Sequence, residues 1–340
     1  MKRRWVVILG IVLSALFLHL AARGAKLDRM IESLKHAQYI YMIPCALLTL
    51  LAFWIRALRW RFLLHAVGPI PQGTLYSATM IGFLANNILP ARLGELVRAH
   101  VVGTRAGISR SAALASIVVE RIFDLFTLLA LFAVGVLVAR FPGGLGTVAL
   151  IGLMIGLITL ILLMIWNRHP KFFLERLLRL TPARLRARVE RLGVGFREGL
   201  GVFNKTSYIF AVGLLSIAMW ASIVVVIWLC FISLSIEVPQ PQGSLVALVV
   251  ISLVTMVPSA PGFVGTLQGG GTAALLVFGV PKELGLTFSI IYHATQWFPT
   301  NIVGAFYLLR EGLSLGQLSR LAVQQDGAGA AGRRGEGDGP

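Results

Sequence analysis

Residues 86–124 read NNILPARLGELVRAHVVGTRAGISRSAALASIVVERIFD, and the reading of this stretch decides the fold. It carries Arg92, Glu95 and Arg98 beside Pro90 and Gly94, then Glu120, Arg121 and Asp124 further on. It also lies between apolar segments that read as membrane-embedded. An ionisable group at bilayer depth costs at least a few kcal/mol, so it persists there only with a task or a partner. The rest of the chain reads as a membrane frame around this polar strip.

The composition agrees with such a frame. Of 340 residues, 57% are hydrophobic and 13% charged, with a mean hydropathy of +0.82. A soluble globule carries roughly twice that share of charge. The expected class is therefore an all-α, polytopic membrane protein. The apolar runs do not alternate every second residue, which argues against a β-barrel. Cys45 and Cys230 sit singly in apolar runs, and the six histidines show neither HxxxH nor HExxH spacing. No disulfide, metal site or cofactor is expected. The net charge of +17 reads as cytoplasmic loops facing anionic headgroups rather than as a surface for nucleic acid.

Working outward, Trp5–Ala22 is a retained first helix behind a basic start, and residues 23–38 could form a surface helix. Tyr39–Ile55 is a second span, ending in the basic Arg56-Ala-Leu-Arg59-Trp-Arg61. Thr74–Leu89 is apolar but short and stops at Asn86-Asn87 and Pro90. Ser109 marks the start of a long helix reaching about Ala139, and Gly146–Ile165 is the next span. Residues 168–205 hold eight Arg and two Lys against three Glu, which reads as amphipathic helices on the membrane surface. Ile209–Ile232 crosses. Leu245–Val257 and Gly265–Val280 are two weak segments around Pro258 and Pro261-Gly262, and Phe288–Leu309 is the last span. The domain expected is thus 1–325, with a disordered Gly/Ala-rich tail at 326–340.

The positive-inside rule puts the N-terminus, Arg56–Arg61 and 168–205 in the cytoplasm, with the C-terminus also inside. That requires Thr74–Leu89 to enter and return on one side as a re-entrant hairpin. Residues 245–280 form either a second hairpin from the opposite face or two tilted spans. Pro90 and Gly94, like Pro261 and Gly265, share a Pro-x3-Gly spacing after an apolar half-helix. Paired, interrupted segments of this kind point to an inverted repeat with a site at the midplane.

At such a break, free helix N–H groups attract an anion, and Arg92 and Arg98 suit a phosphate because guanidinium binds its oxygens bidentately. Glu95 would pair with an arginine or bind a cation or proton; equally, 92–98 could be a solvated cytoplasmic loop. Glu120 and Asp124 share one helix face within reach of Arg121; they read either as part of the site or as a charge network locking helices together. Gln268, His293, Gln296 and Asn301 are polar candidates for a cavity wall.

The pattern NNxLPxRxGExxR, with Gly107-Ile-Ser109 and then ERxxD, resembles the lysylphosphatidylglycerol synthase transmembrane-region family, which includes the flippase half of the multiple peptide resistance factor. Here it falls on Asn86, Asn87, Pro90, Arg92, Gly94, Glu95, Arg98, Glu120, Arg121 and Asp124. A second, PGGxGxxE-like break is matched by Pro261, Gly262, Gly265 and Gln268. The resemblance spans roughly residues 5–312 and implies about eight helices with re-entrant segments. It also implies movement of aminoacylated phospholipids, or of other phosphate-bearing lipids such as polyprenyl-linked sugars, between leaflets. Gln268 stands where relatives often have Glu, a departure that bears on any charge-dependent step at that break. Only a short tail follows the last span in place of the soluble aminoacyltransferase domain of the two-part relatives, so aminoacyl transfer by this chain alone is not expected.

The leading expectation is a lipid flippase of the cell membrane, with no catalytic residues and no nucleotide motif. Its substrate site would comprise the residues just named together with His293. Two rivals are a membrane subunit that recruits a separate lipid-modifying enzyme and an intramembrane enzyme acting on a lipid phosphate. Expected partners are lipids with phosphate-bearing headgroups, a second copy of the chain, or that separate enzyme.

Overall fold

A computed structural model describes residues 2–89, 93–138, 168–183, 200–257 and 259–314, with isolated positions between 154 and 193 and at 316 and 317. Pro90, Arg92, the turn after Phe141, most of the Gly146–Ile165 span, Pro258 and the 326–340 tail lie outside the described residues, as does much of 184–199. Every regular element among the described residues is helical. In chain order these are α1 (Lys2–Ala22), α2 (Leu27–His36), α3 (Met42–Leu63), α4 (Gln72–Ile88), α5 (Gly94–Ala106) and α6 (Arg110–Val138). They continue with α7 (Pro170–Leu180), α8 (Thr206–Ser233), α9 (Gln242–Met256), α10 (Thr266–Leu276) and α11 (Lys282–Arg310). Two segments, Tyr39–Leu63 and Thr206–Ser233, are long and apolar enough to cross a membrane, or three if α1 and α2, bent by 84°, form one broken span.

One expectation is corrected at α3. Arg56 and Arg59 do not begin a basic loop; the helix runs on to Leu63 and buries both, while Arg61 stays exposed. Arginine is a good helix former, and the i, i+3 spacing puts Arg56 and Arg59 on the face that meets the acidic face of α6.

The chain contains two halves with the same order of elements. In the first, α4 and α5 form a hairpin that packs on α6; in the second, α9 and α10 form a hairpin that packs on α11. The central pair α3 and α8 run antiparallel. The Gln38 N–H donates to the Ser233 carbonyl at 2.8 Å, Cys45 meets Val226, and Arg59 meets Ser216. Exchanging α3–α6 for α8–α11 reproduces the packing pairs: α4 against α11 corresponds to α9 against α6. Each half also has its own apolar core, one around Trp60, Val97, Ile117 and Phe123, the other around Phe231, Leu248, Leu275 and Phe288. The sequence carries a trace of this in Pro71-Gln-Gly-Thr-Leu75 and Pro241-Gln-Gly-Ser-Leu245, which open α4 and α9.

Close glycine contacts build both hairpins. A Cβ on Gly94 would collide with the Gly82 carbonyl oxygen and lie 2.6 Å from Asn86 Oδ1. In the second hairpin Gly270 faces Ile251 and Val254. The second break is braced by α1: the Ala260 N–H donates to Ser14 Oγ at 2.7 Å, and Gly265, with φ of +88°, sits against the Ser14 backbone. Gly265→Ala would strain the backbone by about 1–2 kcal/mol and add a clash of comparable size. It is expected to lower the melting temperature in detergent clearly. Gly279→Ala, also at positive φ but with open space around it, should cost less.

Candidate functional site

The two breaks meet at the centre. The 3-10 turn Pro261–Phe263 packs on α4, with Gly262 beside the Asn87 carbonyl. Asn86 is buried, and its Oδ1 accepts the Gly94 N–H at 2.8 Å, satisfying one free group at the start of α5. Gln268 does the same for α10 by accepting the Gly265 N–H at 2.7 Å. At each helix start one N–H is thus taken by a side chain of the same hairpin.

Beside this junction, α3, α5 and α6 hold seven charges together. Glu120 is fully buried. It accepts a bidentate pair from Arg98 at 2.8 and 3.1 Å, Arg56 at 2.7 Å, and has Arg59 at 3.5 Å. Asp124 binds Arg59 at 2.7 Å and Arg56 at 3.0 Å. The Arg98 guanidinium lies 3.6 Å over the Trp60 ring, and the Trp60 indole donates to Ser116 at 2.8 Å. A charge buried this deeply is tolerable only when paired and hydrogen-bonded on several sides, and Glu120 meets that condition.

The outer edge of the network differs. Arg121 and Glu95 pair at 2.8 Å, with 40% and 35% of their side chains exposed, and Arg121 stands 3.6 Å from Asp124. Glu95, Arg121 and Asp124 line a cavity of about 180 Å³, closed by Asn86, Phe83, Trp220 and Phe263 and by the α9 residues Ser252 and Thr255. Four guanidinium groups (Arg56, Arg59, Arg98, Arg121) face three carboxylates (Glu95, Glu120, Asp124), leaving one positive charge in excess among the described residues.

The structure thus sorts the candidate residues. Asn86, Glu95, Arg121 and Asp124 line the charged cavity, whereas Arg98 and Glu120 lie behind it in the buried lock. Asn87, Pro261, Gln268 and His293 line a second cavity of about 330 Å³. Gly94 and Gly265 shape the breaks. Gln296 donates to Thr49 at 2.9 Å, and Asn301 joins Asn87 at 3.3 Å, so these two tie helices together. Arg56, Arg59 and Trp60 were missed as site residues. Their signal is an arginine pair at i, i+3 continuing an apolar helix, complementary to Glu120 and Asp124 at i, i+4.

Residues 7–304 match the family described as Lysylphosphatidylglycerol synthase TM region, a span that takes in both breaks and the whole charge network. The chain belongs to this family. Among relatives of the lysylphosphatidylglycerol synthase TM region, a UPF0104 membrane protein of Methanothermobacter thermautotrophicus is 26% identical over 82% of this chain and 86% of its own length. A UPF0104 membrane protein of Pyrococcus horikoshii is 23% identical over 91% and 97%. Glycosyltransferase AglD of Haloferax volcanii is 32% identical over 43% of this chain, and that match spans only 24% of AglD. No solved structure matches the chain. The protein is therefore a membrane protein of this family.

Proposed function

We propose that this protein carries a phosphate-bearing lipid between membrane leaflets, with Arg121 as the group that receives the phosphate. The observation carrying this reading is the partly exposed Arg121 guanidinium at the edge of the cavity, in a network whose four arginines outnumber its three carboxylates among the described residues. Arg121 is half exposed there, and a diester phosphate would balance the surplus through two parallel hydrogen bonds. Glu95 acts as the resident counter-anion that the phosphate replaces. The two hairpins are re-entrant in this reading. Helices of 17 and 13 residues reach about 25 and 20 Å, and those of 15 and 11 residues still less, against a core of about 30 Å. With the antiparallel α3 and α8, this supports an inverted repeat; about eight membrane helices and termini in the cytoplasm belong to the same proposal.

The test is reconstitution into liposomes with labelled polyprenyl phosphates, aminoacylated phosphatidylglycerol, and a glycosyl-diacylglycerol as a phosphate-free control. Protein-dependent movement of phosphate-bearing lipids, with none beyond background for a polar lipid lacking phosphate such as a glycosyl-diacylglycerol, is the expected result. Equal movement of both classes, or of neither, would refute the reading. The match to part of AglD favours one alternative, a membrane subunit serving a separate glycosyltransferase. That protein would co-purify with such an enzyme and move no lipid.

A further inference from the structure

The longest helices of the two halves among the described residues are α6, described as far as Val138, and α11. Counted from Arg110, Glu120, Arg121 and Asp124 occupy the eleventh, twelfth and fifteenth positions of α6. Counted from Lys282, the same positions of α11 hold Tyr292, His293 and Gln296. The packing exchange of the halves relates α6 to α11 as whole helices, and the count from each helix start pairs these positions in register. Where the first half presents charge to its hairpin, the second presents uncharged hydrogen-bonding groups.

His293 faces the second cavity as Arg121 faces the first. Gln268 uses its carbonyl oxygen on the Gly265 N–H, so its amide nitrogen, 3.0 Å from His293 Nδ1, is the donor and the imidazole is neutral. Asn87 and Trp297 complete the polar lining, and no charged side chain takes part among the described residues. The rim is apolar and outward-facing, with Val264 47%, Ile290 38% and Phe298 57% exposed, so the cavity opens where lipid chains would lie. The two cavities are back to back: Asn86 and Phe263 line the first, and their neighbours Asn87 and Val264 the second.

We propose that this second cavity binds the uncharged, hydroxyl-bearing part of the lipid headgroup. An aromatic ring beside amide and imidazole groups suits a polyhydroxylated unit with an apolar face and a hydroxyl edge. An aminoacyl ammonium would find no carboxylate there, and attraction to the Trp297 ring alone compensates poorly for leaving water. A sugar on a polyprenyl phosphate and the glycerol of phosphatidylglycerol are two sources of the same chemistry. This inference deepens the proposed function and rests on it.

The test is binding to the full chain in nanodiscs, using radiolabelled hexosyl polyprenyl phosphate, bare polyprenyl phosphate, phosphatidylglycerol and lysyl-phosphatidylglycerol. Trp297→Ala is expected to weaken a hydroxylated lipid at least tenfold, to the level of the bare phosphate, without changing the latter; the lipid affected names the source. Trp297→Phe keeps a ring and should fall between, which separates loss of contact from loss of fold. Unchanged preference in Trp297→Ala, or lysyl-lipid binding as tight as that of the best hydroxylated lipid, would overturn the second site. In either case Arg121→Gln should still weaken every phosphate lipid. If Arg121→Gln changes none of them, the proposed function itself falls.

Discussion

Glu120→Ala should leave little folded protein. Glu120 accepts hydrogen bonds from Arg98 and Arg56 and lies near Arg59, with its side chain fully buried. Removing one partner of a buried pair costs about 3–5 kcal/mol, because the remaining charges stay desolvated, and here Arg98 loses its carboxylate while Arg56 and Arg59 each lose one of two. A membrane protein with stability in the usual range of about 5–15 kcal/mol would lose much of it. The expected readout is a collapse of the monodisperse peak in detergent and a large drop in melting temperature. A double variant, Glu120→Leu with Arg98→Leu, should recover part of the loss, because Asp124 still serves Arg56 and Arg59. A stable single variant would show that the network carries little of the fold's free energy.

Arg121→Gln should have the opposite profile: near-normal stability and a transport rate lowered at least tenfold. The Arg121–Glu95 pair is partly exposed, and pairs of that kind contribute only about 0–1 kcal/mol. Losing the cavity's guanidinium, however, removes the group assigned to the phosphate. Arg121→Lys keeps the charge without the planar fork and should retain an intermediate rate. The checks are the liposome assay and melting temperature on the same preparations. An unimpaired rate in Arg121→Gln would refute the assignment of this residue.

The comparison of Glu120 with Arg121 shows how far sequence reading reaches. Adjacent in one motif, they are equivalent by spacing, and both were candidate ligands. The structure puts one in a closed lock and leaves the other at a cavity edge, because consecutive helix positions point about 100° apart. The fate of each then depends on which helix lies opposite. Arg59 makes the same point from the other side: a basic tail after an apolar run resembles a loop until its acidic partner is known to lie 65 residues later in the chain.

By itself, then, the sequence determined the helical membrane class, the positions of both breaks, and the charged residues that matter apart from Arg56 and Arg59. Those properties are local, set by hydropathy, by proline and glycine, and by the cost of burying charge. Only the tertiary structure decided which charges are locked and which remain at a cavity, and that the halves repeat in opposite directions. It also decided that a charged and an uncharged cavity share one wall. These depend on contacts between residues far apart in the chain, and spacing within one segment carries no information about what packs against it.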